Sequence, residues 1–213
     1  MIHNSAKTIL CYGDSNTWGN VPRSDMRYPR DVRWPGKLQI ILGDDYEVIS
    51  EGLCGRTLVA ENPKKPHRTG ITHLQAIFES ADPIDLAIIM LGSNDVKKSY
   101  QLTPAQIAEH LSQTIDKIRS LGDLEKAPQI LVVCPPPVIV PKTGDLDERM
   151  VAGIEAFKTL PALFKGIAEK YKCGFIDAGE HVSSSDIDGY HLDGEAHIKL
   201  AEIIGAWIHT HAL

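Results

Sequence analysis

The chain is poor in the features that mark several large protein classes. Its 213 residues include four cysteines, Cys11, Cys54, Cys134 and Cys173, at no Cys-x-x-Cys or Cys-x-x-His spacing. That excludes the usual ligand pattern of structural zinc and dithiol redox sites. Cys11 and Cys134 lie in apolar strand-like runs, as reduced core thiols do, so no disulfide is expected. No apolar stretch reaches the ~18 residues of a spanning helix. Residues 1–6 lack the charged region and apolar run of a signal peptide, so a soluble, cytoplasmic protein is expected. Cations are in the minority, 22 Lys and Arg against 28 Asp and Glu, for a net charge of −6. Nucleic acid and membrane are therefore not expected partners, and small neutral or cationic substrates suit this balance better. No Gly-x-x-x-x-Gly-Lys-Ser/Thr, Gly-x-Gly-x-x-Gly or His-Glu-x-x-His is present, which leaves no nucleotide cradle or zinc pair, and no cofactor is expected. A Gly-x-Ser-x-Gly elbow is also missing, which argues against the α/β-hydrolase fold.

What the chain does have is alternation. Five short apolar runs, at 8–12, 46–51, 86–91, 129–134 and 174–177, have the length of buried parallel strands. Helical patterns separate them. The clearest covers 104–121, with Thr103 as N-cap, Pro104 at the first helical position, Gln106 completing a capping box and Gly122 at its end. Others cover 149–172 and 194–211; in the last, Ile198, Ala201, Ile204 and Ile208 recur at helical spacing. No internal repeat or linker interrupts the pattern, so 1–213 reads as one domain. The expected fold is α/β, a three-layer α/β/α sandwich around a five-stranded parallel sheet, with ligands beyond the carboxyl ends of the strands. Two irregular stretches, 18–32 and 56–70, are candidates to shape the mouth of a site.

Residues with chemistry gather where the pattern places those carboxyl ends. The first strand runs into Gly13-Asp14-Ser15, putting a hydroxyl at a tight turn. A serine needs a base to take its proton and donors to hold the oxyanion formed on attack. After the second strand Gly55 can bring a backbone N–H close to a substrate, since no side chain blocks the approach. After the third, Asn94 offers a carboxamide donor. After the fifth comes Asp188-Gly189-Tyr190-His191, an aspartate three residues ahead of a histidine, able to hold one ring nitrogen while the other faces the serine. Each piece alone is common in turns; their convergence at one sheet edge is not. Trp18, three residues past Ser15, is the candidate pocket wall, while Trp34 lines a pocket or closes the core. Arg56 and Asp95 touch the site segments as supporting residues or surface ion pairs.

With these residues in place, the sequence resembles the SGNH or GDSL hydrolases, whose four blocks are named for Ser, Gly, Asn and His. Ser15, Gly55, Asn94 and Asp188 with His191 match them in order. Longer runs resemble the arylesterase and acyltransferase branch: Gly13-Asp14-Ser15-Asn16-Thr17-Trp18-Gly19, Asp31-Val32-Arg33-Trp34, Glu51-Gly52-Leu53 with Arg56-Thr57, and Phe175-Ile176-Asp177-Ala178-Gly179. The resemblance implies a flavodoxin-like fold and hydrolysis of short acyl esters. It also implies acyl transfer to alcohols or hydrogen peroxide in some members, and a homo-oligomer, octameric in several. In this assignment Ser15 is the nucleophile, His191 the base and Asp188 its orienter; Ser15, Gly55 and Asn94 form the oxyanion hole. Asn16 and Asn20 stand where larger apolar residues would suit a water-poor transfer site.

Other readings fit less well. A sugar or oligosaccharide deacetylase would keep the machinery and change only the mouth. A silent binding protein would not need the full residue set. Asp193 and His197 are rival members of the triad, at a spacing that suits a helix better. His181, Asp186, Asp188, His191 and His197 carry metal-ligating groups, but a calcium loop starting at Asp186 needs Gly and Glu where His191 and His197 stand, and no metal is expected. Lys64, Lys65, His67 and Arg68 read as a solvated basic loop in preference to an anion-recognition surface.

Overall fold

A computed structural model describes residues 6–121 and 127–211. Gly122, expected at the end of the capped helix, and the first five residues lie outside them. Five strands, β1 (Lys7–Gly13), β2 (Tyr46–Gly52), β3 (Leu86–Met90), β4 (Gln129–Cys134) and β5 (Gly174–Asp177), form one parallel sheet in the order β2-β1-β3-β4-β5. Every apolar run read as a strand is one.

Among the described residues seven helices lie between or after them: α1 (Ser15–Trp18), α2 (Trp34–Leu42), α3 (Gly70–Ala81), α4 (Pro104–Arg119), α5 (Val151–Ala156), α6 (Leu160–Lys170) and α7 (Gly194–His211). The two-residue period of the strands sorts the core into two layers. Leu10, Tyr12, Ala87, Ile89 and Val132 face Phe78 of α3, Leu111 and Ile115 of α4 and Phe164 of α6. The intervening Ile9, Cys11, Ile88, Leu131 and Val133 face Trp34 and Leu38 of α2 and Leu200, Ile204 and Ile208 of α7. The three-layer expectation holds, and Trp34 closes the core, fully buried.

The capping box of α4 is present as expected: the Gln106 N–H donates to Thr103 Oγ1, and Gln106 Oε1 accepts from the Thr103 N–H at 2.9 Å. One helix departs from expectation. The span 149–172 is two helices, because Pro161 has no N–H for the carbonyl four residues back and its ring crowds that turn. The chain breaks over 157–159 and restarts with Pro161 in the first turn of α6. Between β1 and its two neighbours the strand order reverses, and the crevice beyond the carboxyl ends there is where such sheets bind ligands.

Candidate active site

Ser15 stands two residues beyond β1, at the start of a single helical turn. Asp14 caps that turn, its Oδ1 accepting from the Asn16 N–H at 2.9 Å, while Gly19 ends it in the left-handed region at φ 90°. As the first residue of α1, Ser15 leaves its own N–H without an intrahelical acceptor. Gly52, at the end of β2, makes room for the turn: a Cβ there would lie 2.1 Å from the Trp18 nitrogen.

The loop between β5 and α7 brings His191 to Ser15, with Nε2 3.0 Å from Oγ. The other ring nitrogen, Nδ1, is 2.7 Å from Asp188 Oδ2. Burial alone would raise the Asp188 pKa. The His191 hydrogen bond and charge and the His191 and Tyr190 amides outweigh it, holding Asp188 below its ordinary range. An ionised Asp188 can only accept, so Nδ1 carries the ring proton and Nε2 is free to take one from Ser15. The Tyr190 ring packs on His191 with centroids 4.5 Å apart.

Gly55 and Asn94 join Ser15 and His191 around one cavity of about 200 Å³. Gly55 has φ 80°, a left-handed backbone that favours glycine, and a Cβ there would lie 2.6 Å from Arg68 Nη1 and push that guanidinium aside. The Asn94 carboxamide already has partners: Nδ2 donates to Asp14 Oδ2 at 3.2 Å and to the Arg56 carbonyl at 3.0 Å. A bond from Asn94 to an oxyanion therefore requires the longer of these, to Asp14, to be shared or released. Asp14 is wholly buried, with its pKa raised by burial, and also accepts from Ser93 Oγ.

Arg56 and Asp95 are buried, not surface ion pairs. Arg56 donates to the Gly13 and Glu51 carbonyls and covers the Tyr12 ring at 4.1 Å, tying the ends of β1 and β2 together. Asp95 accepts from the Leu58 N–H at 3.1 Å and fixes the loop that carries Gly55. Trp18 does not line the Ser15 cavity. It sits at the far end of α1, a full turn on, under the Arg27 guanidinium at 5.0 Å. The rival pair is separated as well: Asp193 Oδ1 caps α7 through the Ala196 N–H, and His197 is fully buried, its Nδ1 facing the Trp34 N–H at 3.4 Å. Among the described residues, no three His, Cys, Asp or Glu side chains are grouped to hold a metal; Asp186 pairs with Lys142 instead.

Sequence reasoning missed Asn16. Its Oδ1 accepts from the Leu192 N–H at 2.9 Å and its Nδ2 donates to the Tyr190 carbonyl at 3.1 Å. One side chain beside the nucleophile thus grips the residues on both sides of His191. Arg68, within the 56–70 stretch read as a candidate mouth, also lines the cavity, as do Lys97, Arg149 and Met150, which were not expected there. Arg68 departs from the solvated-loop reading, turning inward while Lys64, Lys65 and His67 remain exposed. A larger cleft of about 560 Å³ lies near the amino ends of β4 and β5, beside Gln129, Gly174, Trp207 and His211, and holds no serine–histidine pair.

Comparison with known proteins places the chain in a family. An aryl esterase structure from M. smegmatis is 34% identical with a TM-score of 0.91, covering 97% of this chain and 100% of its own. Est24, a carbohydrate acetylesterase from Sinorhizobium meliloti, is 35% identical with a TM-score of 0.88, covering 96% and 99%. An acetylxylan esterase from Xylanibacter ruminicola is 27% identical over 94% of this chain, which spans 42% of that relative's length. Residues 11–209 match the GDSL-like lipase/acylhydrolase family. The chain therefore belongs to that family of carboxylic ester hydrolases, the SGNH hydrolases.

Proposed function

We propose that the chain is a serine esterase that cleaves short acyl esters through an acyl-enzyme. The observation that carries this reading is the relay from Asp188 through His191 to Ser15, with spacings of 2.7 and 3.0 Å. Ser15 Oγ attacks the ester carbonyl as His191 Nε2 takes its proton. The Ser15 and Gly55 amides and the Asn94 carboxamide receive the oxyanion. His191 then protonates the departing alcohol. Water, activated by the same nitrogen, releases the acid and restores the serine.

A cavity of about 200 Å³ favours an acetyl-sized acyl group with a compact alcohol, below the ~300 Å³ at which drug-sized sites begin. The polar lining favours a second reading of the alcohol. Arg68 and Lys97 supply donors suited to a hydroxylated leaving group, as in the sugar ester of a carbohydrate acetylesterase. The test is p-nitrophenyl acetate hydrolysis by the native protein and by Ser15→Ala, followed by acetylated sugars against phenyl acetate. Turnover abolished in Ser15→Ala supports the esterase. Equal, slow rates in the two proteins would refute it.

A further inference from the structure

Three cations from three separate segments line the Ser15 cavity: Arg68 ahead of α3, Lys97 beyond β3 and Arg149 ahead of α5. In a chain of net charge −6 this local field runs against the whole. Arg149 has a carboxylate partner, Asp147. Among the described residues neither Arg68 nor Lys97 makes an ion pair. Lys97 Nζ rests on Asn94 Oδ1 at 2.6 Å, a neutral acceptor at the edge of the cavity. Arg68 has its Nε buried without an acceptor among the described residues, and its guanidinium lies over Gly55. Burial, then the charge of Arg149, and further the charge of Arg68 press the Lys97 pKa down; the charges of Asp14, which is buried, and of the partly exposed Asp147 pull it up. Like charges held together in a half-closed cavity repel one another, and an anion placed among them relieves that repulsion.

We propose that the ester taken by this cavity carries a carboxylate, which lies against Arg68 and Lys97 while its acyl carbonyl sits at Ser15. This rests on the esterase reading and narrows its substrate class to acylated acidic compounds, either a hydroxy acid or an acidic sugar. It reverses the expectation drawn from net charge, because a ligand inside a low-dielectric cavity feels the nearest charges far more than the distant surface.

The experiment compares kcat/KM within two matched pairs at low salt. One pair is 4-acetoxybenzoate and phenyl acetate; the other is a mono-O-acetylated methyl glucuronide and the corresponding glucoside. The native protein, Ser15→Ala, Arg68→Gln and Lys97→Gln are measured in parallel. The expected result is a preference of about tenfold for the anionic member of at least one pair, falling about fivefold in each cation variant and in about 0.5 M salt. The salt arm uses the native protein, so it reads the same quantity should a variant fail to fold. Ser15-dependent turnover with no anionic preference in either pair would overturn the inference and leave the esterase intact. So would an equal fall on both members of each pair in the variants, which would assign the cations to the oxyanion. Absence of Ser15-dependent turnover on all four esters would refute the esterase reading and this inference with it.

Discussion

Acid should destabilise this protein through His197. The imidazole is fully buried, its Nε2 has no partner among the described residues, and Nδ1 faces the Trp34 N–H. A second proton would fall on Nδ1, setting donor against donor. Burial, with a smaller contribution from the charge of His191, lowers its pKa from 6.5 to about 3. Between those two values the unfolded chain binds a proton that the folded chain refuses, so stability falls as the pH drops below the unfolded value. At pH 5, about 1.5 units below the unfolded value, the loss is about 2 kcal/mol. Buried Asp14 and Asp95, whose pKa values are raised by burial, act in the opposite direction. They are common to any His197 variant and cancel in the comparison. The assay is urea unfolding at pH 7 and pH 5 for the native protein and for His197→Asn, which keeps an acceptor near Nδ1. The native protein should lose about 2 kcal/mol more than the variant between the two pH values. Equal losses would refute the buried neutral imidazole and reopen His197 as a titrating partner of Asp193.

Four substitutions test the site. Asp188→Asn should lower turnover by about 10⁴ while leaving folding intact, measured as kcat on p-nitrophenyl acetate; a loss under tenfold would remove Asp188 from the relay. Asn94→Ala should cost about 10²–10³ in kcat with little change in KM, and near-native turnover would mean that Asn94 only braces Asp14. Gly55→Ala should cost about 1–2 kcal/mol in unfolding free energy for the left-handed backbone, and should slow turnover as the new methyl displaces Arg68. A native unfolding midpoint would contradict the strained φ. Asn16→Ala should lower kcat about 10–100-fold with an unchanged circular dichroism spectrum; a value within twofold of native would show that the His191 loop holds its place without the clamp.

The sequence carried the layers and the chemistry unevenly. The central strands β1, β3 and β4 were legible because they are buried on both faces, which leaves one signal and little competition from polar positions, while the partly exposed edge strands β2 and β5 were legible from their short apolar runs. The capped helix α4 was legible because Thr103 and Gln106 write its start in side-chain chemistry. The break between α5 and α6 was written too, in Pro161, but the apolar spacing on either side masked it. Ser15, Gly55, Asn94, Asp188 and His191 could be located because each follows a strand directly or shares one short loop. Trp18 was misplaced because distance along the chain says nothing about direction at the end of a single helical turn. Arg68 was misjudged because a basic run on a loop has one composition whether its members point outward or, as here, one turns in.

Asn16 shows why part of any such site escapes a linear reading. The nucleophile is at residue 15 and its base at residue 191, so their alignment to 3.0 Å is a long-range property of the fold. The sheet alone sets it loosely, since His191 rides on a loop that follows β5, the strand farthest from β2. The Asn16 carboxamide closes that gap by holding the Tyr190 carbonyl and the Leu192 N–H together. Because Asn16 belongs to the same short turn as Ser15, its two hydrogen bonds tie the base loop directly to the nucleophile and fix their spacing. Helix geometry requires only that residue 16 continue the turn, which most side chains would do. The demand for a carboxamide comes from two backbone groups more than 170 residues away, one needing a donor and the other an acceptor, and Asn supplies both at that reach.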